Sequence, residues 1–321
     1  MPRFDLALRR ALAAAGALAL ALGALLPTAV LASDKVSVTQ YAVNVATLPW
    51  AVALERGMFK EHGLDIDGIL SSNGGGTTIR NIMASSLPFG ESSVPAAVAA
   101  IQNGSNLKII YSAVNNYGDL AWLVKKDAPF KTIGDLKGHK VAFTEPRSAT
   151  EMILRVIMQR AKLDAQTIPT GGISAGLVAL DQGAVDAAPV EEPLLLADPS
   201  KYRVIFRVGD FVPHVTYSVG VVDGDFAKAH PDTVRKLIAV RREAVAYMIA
   251  HPIDTQAIYY KAWSTDDARI MQIMPSLIRG KYWSSGDIDS AALGAMLHGM
   301  QLVGALEKPL DAAAIDTSYL H

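Results

Sequence analysis

Lys140–Leu163 reads KVAFTEPRSATEMILRVIMQRAKL. It divides into three parts. Lys140–Phe143 is a short apolar strand, Thr144–Arg147 a loop, and a helix begins at Ser148. Ser148-Ala149-Thr150-Glu151 has the S-x-x-E form of a capping box, and Ile153, Val156, Ile157 and Ala161 then recur at helical spacing. A strand that feeds straight into a capped helix leaves unsatisfied backbone N–H groups and a positive dipole end at the loop. Arg147 adds a full positive charge beside them. Two readings stay open at this point. Ser148 does no more than cap its own helix, or the loop is one wall of an anion-accepting cleft.

The chain has 321 residues, half of them apolar, with 30 Lys+Arg against 31 Asp+Glu. That length suits two lobes of ordinary domain size. The charge balance gives no support for nucleic-acid binding or for electrostatic adhesion to a membrane. There is no cysteine, which excludes disulfides, thiolate metal sites and cysteine nucleophiles. The seven histidines are scattered, with no H-x-x-x-H spacing, so no metal site and no cofactor is expected. At the N-terminus, Arg3, Arg9 and Arg10 precede the apolar run Ala11–Leu26. Pro27 breaks the run, and Val30-Leu31-Ala32 offers small residues for cleavage before Ser33. Residues 1–32 therefore read as a cleaved secretory signal peptide, and the mature protein as exported and soluble.

Strands and helices alternate through the next 190 or so residues, which predicts parallel or mostly parallel sheets. Strands are expected at Val36–Val43, Leu64–Asp67, Leu87–Gly90, Leu107–Val114, Leu120–Val124, Lys140–Phe143, Val185–Val190, Tyr202–Val208 and Tyr217–Val222. Helices are expected at Trp50–Phe59, Ile79–Ala84, Val94–Gln102, Ser148 onward, and Ala175–Gln182; Leu194–Ala197 starts another, and the chain from Phe226 is mostly helical. A faint repeat relates Met83–Ser92 to Leu180–Pro189. Each is helix end, tight turn, short strand and polar loop, which fits two lobes of like construction. In open α/β sheets, ligands sit beyond the carboxyl ends of the strands. Four loops hold that position: around Thr47, Ser71–Thr78, Ser92–Ser93 and Thr144–Thr150. Each is rich in hydroxyls, Gly or Asn, and each precedes a helix.

Three stretches resemble the periplasmic substrate-binding proteins of ABC importers, in the nitrate/sulfonate/taurine branch with its NMT1/THI5-like domain. Leu48–Leu64 has that family's small and apolar helix residues followed by G-x-F-x-x-x-G-L, Ile133–Ala142 is similar to its DLKGKKVA segment, and Ala179–Ala187 to its AL-x-x-G-x-VDA segment. The resemblance covers about residues 36 to 260. It implies a type II, two-lobed α/β fold, each lobe a mostly parallel sheet flanked by helices, with two hinge crossings near Asn115–Gly118 and Tyr217–Val222. Lobe 1 is then 33–118, lobe 2 is 119–218, and 219–321 returns to lobe 1 and adds the C-terminal helices. The first-lobe G-x-x-D turn of the family is absent, with Ser86 and Pro88 in place of Gly and Asp. The related pyrimidine synthases carry a cysteine-rich motif that this chain lacks, so no enzymatic activity is expected.

By position, the resemblance places Thr47, Trp50, Ser71, Ser72, Ser92, Asn116, Arg147, Ser148, Thr150 and Glu191 at the ligand. Hydroxyls and N–H groups suit a sulfonate or carboxylate, which only accepts hydrogen bonds, and Arg147 offers a bidentate pair. Glu191 or Glu192 would meet the amine of a taurine-like zwitterion. Trp50, Tyr117 and Tyr217 would stack on an apolar or aromatic body. The expected partners are a small organic anion and a membrane permease, the expected location is the periplasm, and the expected state is a monomer. The alternative ligand is a pyrimidine or another heteroaromatic precursor. A different class, the hydrolases, is raised by Gly172-Ile173-Ser174-Ala175-Gly176 as G-x-S-x-G, with Asp186 or Asp223 and then His230 downstream. That motif needs a strong strand before it, and Thr167–Gly171 reads as a poor one.

Overall fold

Ten strands form two sheets in the computed structural model, which describes residues 34–118, 120–146, 148–191, 200–266, 268 and 270–321, with the side chains of Ile270 and Met271 left out. The proposed signal peptide, Arg147, Glu192 and the expected helix start at Leu194–Ala197 lie outside the described residues. In chain order the strands are β1 (Asp34–Thr39), β2 (Ile66–Ser72), β3 (Phe89–Ser93), β4 (Leu107–Val114), β5 (Leu120–Lys125), β6 (Lys140–Phe143), β7 (Gln166–Pro169), β8 (Ala188–Glu191), β9 (Tyr202–Arg207) and β10 (Ser218–Asp223).

The first sheet has the order β2-β1-β3-β10-β4. The second consists of β8-β5-β9 and β6-β7, joined by a parallel bridge between Val141 and Ala187, so its order is β7-β6-β8-β5-β9. The two orders are the same pattern. β1 pairs parallel with β2 and β3, and β6 pairs parallel with β7. β10 runs antiparallel to β3 and β4, and β5 antiparallel to β8 and β9. Each mostly parallel sheet thus contains one reversed strand, and that strand is the one the crossing delivers. The chain leaves β4 and enters the second sheet as β5; it leaves β9 and re-enters the first as β10. The crossings lie side by side, with Val215 N–H donating to Asn115 O at 3.1 Å and Tyr217 N–H to Val114 O at 2.9 Å.

Several expected boundaries move, each for a local reason. β1 stops at Thr39 because Gln40 and Ala42 both take φ of 56°. The helix expected over Trp50–Phe59 is two, Leu48–Glu55 and Met58–Glu61, parted at Gly57 with φ of 72°, a left-handed conformation that glycine adopts without a steric cost. Ser71 and Ser72 are not loop residues: they close β2, opposite Val38 and Thr39 of β1. Ser92 and Ser93 likewise end β3, opposite Val219 and Ser218. The glycines after Asn73 open the helix Gly75–Ala84 rather than precede it. β7 was not expected, and it turns Thr167–Pro169, read as a poor strand, into a paired one.

The core draws on both lobes. Trp50 is fully buried, stacked at 6.1 Å on Phe59 and edge-on at 6.0 Å to Phe89. Trp122 donates to Ala142 O at 2.8 Å and stacks on Phe206. The C-terminal helix Ser290–Leu302 packs on the helix Ala149–Ala161 of one lobe and on Val94–Gln102 of the other, with Gly299 against Met152 and Val156. Among the described residues no helix is long and apolar enough to cross a membrane.

One ion pair ties the first sheet to the C-terminal helices. Arg241, on the helix Pro231–Ala250, is fully buried and reaches Glu91 of β3 at 2.5 Å. Its other guanidinium nitrogens donate to Ser284 O at 2.7 Å and Ala113 O at 2.6 Å. Tyr111 of β4 donates to the same Glu91 oxygen at 3.0 Å, and its ring sits so close to Gly220 of β10 that a Cβ there would fall 2.0 Å from it. Removing one partner of a buried pair leaves the other charge uncompensated, at about 3–5 kcal/mol. Arg241→Leu is therefore expected to lower the melting temperature by on the order of 10 °C, measured by differential scanning calorimetry; a fall of under about 2 °C would show that the pair does not hold the two parts together.

Candidate functional site

Strand β6 ends at Phe143, and the residues after it are held by a cluster of hydroxyls. Thr150 Oγ1 accepts from Thr144 N–H at 2.9 Å and lies 2.6 Å from Thr144 Oγ1 and 2.9 Å from Ser148 Oγ. Ser148 Oγ in turn accepts from Glu151 N–H at 3.3 Å as the N-cap of Ala149–Ala161. The end of β7 is tied to the same turn, with Gly171 N–H on Thr144 O at 2.7 Å and Thr170 Oγ1 donating to Phe143 O at 3.0 Å. Gly172 then caps the helix Ile173–Asp181.

The first lobe repeats this arrangement. After β2, Asn73 and Gly74 lead into Gly75–Ala84. Thr78 Oγ1 bonds Thr39 Oγ1 at 2.7 Å, and Thr78 also donates to Gly74 O at 3.1 Å. After β3, Ser93 takes the N-cap position of Val94–Gln102 without a side-chain cap bond. A Cβ on Gly75 would lie 2.6 Å from Ser93 Oγ and 3.1 Å from Ser92 Oγ, so only glycine lets this backbone approach the β3 end so closely.

These junctions enclose one cavity of about 360 Å³. Its first-lobe wall is Thr39, Gln40, Asn73–Gly76, Ser93, Pro95 and Ala96; its second-lobe wall is Thr144–Pro146, Ser148–Thr150, Gly171–Ile173 and Glu191. Tyr117 and Tyr217, from the two crossings, form the floor with ring centroids 4.9 Å apart. The carboxyl ends of β1, β2, β3, β6, β7 and β8 therefore face one space, as expected for ligand sites in open α/β sheets. Four helix N-termini, those of Gly75–Ala84, Val94–Gln102, Ala149–Ala161 and Ile173–Asp181, point the same way. Each brings N–H groups without intrahelical partners and a partial positive charge. Across the cavity, Asn44 Nδ2 donates to Glu191 Oε2 at 3.1 Å and to the Tyr217 hydroxyl at 3.3 Å, joining the lobes over the hinge.

A pit of about 20 Å³ adjoins the cavity through the shared walls Thr39, Ser93 and Tyr217, and is further lined by Asn44, Ala46, Thr47, Glu91, Ser92 and Ser218. Beneath it, burial and then the Glu91 charge push the Tyr111 hydroxyl well above its ordinary value, against a smaller opposite pull from Arg241. Tyr111 thus stays protonated and donating. A larger space of about 1010 Å³ lies behind the hinge, against Asn116, His214 and residues 278–290, and shares no wall residue with the smaller cavity.

The positions expected at the ligand divide accordingly. Ser148, Thr150 and Glu191 line the cavity, and Thr47 and Ser92 line the pit. Thr47 Oγ1 donates to Asn44 O at 2.8 Å and Ser92 Oγ to Gly75 O at 3.2 Å, so each keeps an accepting lone pair. Trp50 belongs to the core, where its ring is fully buried. Ser71 is exposed on the edge strand β2, and the Ser72 hydroxyl is committed to Asn81 Nδ2 at 2.9 Å. Asn116 faces the space behind the hinge, donating to Gly280 O at 2.7 Å and accepting from Gly118 N–H at 2.8 Å. The shift of β2 and β3 toward their C-termini explains why the serines moved inside strands while Asn73–Gly76 and Ser93 took the cleft. Thr39, Gln40, Asn44 and the Gly171–Ile173 turn were not singled out for the site. The last carried a usable signal, a strand followed by Gly-Gly and a helix.

The G-x-S-x-G residues do not assemble a triad. Ser174 is exposed on a helix. Asp186 accepts from Lys140 N–H at 2.9 Å and faces His139, Asp223 caps its own helix, and the His230 ring lies tilted at 4.7 Å from that of Phe226. Among the described residues no group of three or more His, Asp or Glu is placed to hold a metal ion.

The sequence profile described as NMT1/THI5 like matches residues 44–255. The chain belongs to the NMT1/THI5-like family. A Brucella abortus protein named as a binding protein is 30% identical over 226 residues, 68% of this chain and 69% of its own. The structure of the periplasmic aliphatic sulphonate binding protein SsuA from Escherichia coli superposes with a TM-score of 0.70 at 18% identity, over 87% of this chain and 96% of that one. The alkanesulfonate-binding protein SsuA from Xanthomonas axonopodis pv. citri, bound to MOPS, gives 0.70 at 15% identity, over 88% and 98%. At such identities the likeness is one of fold, and it is the two-lobed periplasmic binding protein fold that the resemblance over residues 36 to 260 implied.

The hydroxyl cluster at the second-lobe wall has a measurable stability. Ser148→Ala removes the cap of the Ala149–Ala161 helix, which is worth about 1 kcal/mol. The expected drop in melting temperature is roughly 2–4 °C, restored by Ser148→Asp; no drop would mean that the cap is redundant in this NMT1/THI5-like chain.

Proposed function

We propose that this chain is the extracytoplasmic solute-binding component of an ABC importer and that it holds a small organic anion, a sulfonate or carboxylate, between its lobes. The observation that carries this reading is the convergence of four helix N-termini on one cavity. An anion there accepts hydrogen bonds from first-turn backbone N–H groups that have no intrahelical partner. Arg147, by sequence the residue before the Ser148 cap, is proposed as the counter-charge. Glu145 and Glu191 also line the cavity, which favours an anion that carries a donor at its other end, as a taurine-like zwitterion does. The names of the two SsuA structures and of an Escherichia coli relative, matched over 72 residues at 39% identity and named for aliphatic sulfonates, support a sulfonate. No covalent step is part of the proposal. Export through residues 1–32, a periplasmic location, hand-over to a permease and a monomeric state belong to it.

The paired rings of Tyr117 and Tyr217 on the cavity floor favour a second reading, a pyrimidine or other heteroaromatic ligand lying on them. The two readings separate in a thermal-shift screen of the purified mature chain with alkanesulfonates, taurine, aliphatic and aromatic carboxylates, nitrate and pyrimidines. A ligand at about a hundred times its Kd stabilises by about 2.7 kcal/mol, roughly 5–10 °C here. At least one sulfonate or carboxylate is expected to do so, and Arg147→Ala to weaken it without lowering the unliganded melting temperature. A shift with pyrimidines alone would replace the anion by the heteroaromatic.

A further inference from the structure

The pit below the cavity holds a hydrogen-bonding set that the anion does not use. Ser218, on β10, lines it, and the Ser218 hydroxyl is buried with no hydrogen-bond partner among the described residues. A buried hydroxyl left without a partner is destabilising, and its persistence calls for a partner supplied from outside the chain. On the neighbouring strand β3, two residues along from the Ser93 that pairs with Ser218, is Glu91. Tyr111 and Arg241 both bond its Oε1, and Oε2 takes part in neither contact. Thr47 and Ser92 add accepting lone pairs, since each spends its proton on a backbone carbonyl.

The chemistry of the pit is therefore specific. It offers acceptors at Glu91 Oε2, Thr47 and Ser92, and the Ser218 hydroxyl, which both donates and accepts, with the Ser93 hydroxyl beside it on the shared wall. Arg241 balances the Glu91 charge from below, so a cationic head would meet a pair that is already neutral in sum. A volume of about 20 Å³ admits one small group, about the size of a single water. The geometry points to Ser218 and Glu91 as the specificity subsite for an uncharged O–H group on the far end of the ligand. The group donates to Glu91 Oε2 and exchanges a hydrogen bond with Ser218 Oγ. This rests on the interlobe cavity being the ligand site, and it adds that the ligand is hydroxylated. Discrimination of this kind is strong because a pit built to bond an O–H leaves its own polar groups unpaired when a methyl group takes that place.

Isothermal titration with isosteric pairs tests it. The probes are 3-hydroxypropane-1-sulfonate against butane-1-sulfonate, and 5-hydroxymethyluracil against 5-ethyluracil, each with the wild-type chain, Ser218→Ala and Ser218→Val. In the series that binds, the hydroxylated member is expected to bind about tenfold tighter than its isostere, and both variants to cut that advantage to within about twofold. Without ligand, Ser218→Ala is expected to melt no lower than wild type, because it removes an unpartnered polar group; a residue that only supported the fold would melt lower. Equal affinities within the binding pair, or an advantage that survives both substitutions, would overturn the subsite and leave the cavity as an anion site. If only the uracil pair binds and keeps a Ser218-dependent advantage, the anion reading fails and the subsite stands. If neither series binds, both are overturned.

Discussion

One reversed strand in each sheet decides where everything else can go. β10 runs antiparallel between β3 and β4, and β5 runs antiparallel between β8 and β9. Because each reversed strand is the immediate product of a crossing, the two sheets meet with the carboxyl ends of their parallel strands turned to a common space. Six of those ends, with the helices that follow four of them, then line one cavity. The chemistry of the cavity follows from that geometry more than from any single side chain. Backbone N–H groups and helix dipoles are the main cationic features that the described residues bring to it, while the carboxylates of Glu145 and Glu191 set a limit on the negative charge it accepts.

The second constraint is the contact of Glu91, Arg241 and Tyr111. It places a carboxylate at the floor of the site without leaving a bare buried charge, since Arg241 is fully buried and bonded on all sides. A buried pair of this sort is weak evidence for added stability. Its position suggests another use, because Glu91, the partner that holds Arg241 of the C-terminal helices, also lines the pit. Gly220 makes this possible by letting the Tyr111 ring lie flat against β10. Stability and ligand selection thus share one cluster.

The alternation of strands and helices and the N-cap at Ser148 were legible in the sequence because they depend on local backbone chemistry. The same strand order in both halves was legible only faintly, through the repeat of Met83–Ser92 in Leu180–Pro189. What could not be read was set by distant partners. Ser71 and Ser92 looked like loop hydroxyls until pairing with β1 and β10 extended the strands over them. Trp50 looked like a stacking platform, but an aromatic at the start of an apolar helix is claimed by the nearest core, here Phe59 and Phe89. Asn116 was drawn to the back of the hinge by Gly280, 164 residues away. β7 was hidden because its four residues, Gln166–Pro169, carry little apolar pattern and gain their strand geometry from β6.

The central claim is that a small anion sits at the converging helix N-termini. Its most direct test is a titration of the ¹⁵N-labelled mature chain with butane-1-sulfonate, followed by amide chemical shifts. The account predicts that the largest shifts fall on the amides of Gly75, Gly76, Ala149, Thr150, Gly172 and Ile173, in both lobes together. Shifts confined to residues 278–290 behind the hinge, or spread over one lobe alone, would contradict it.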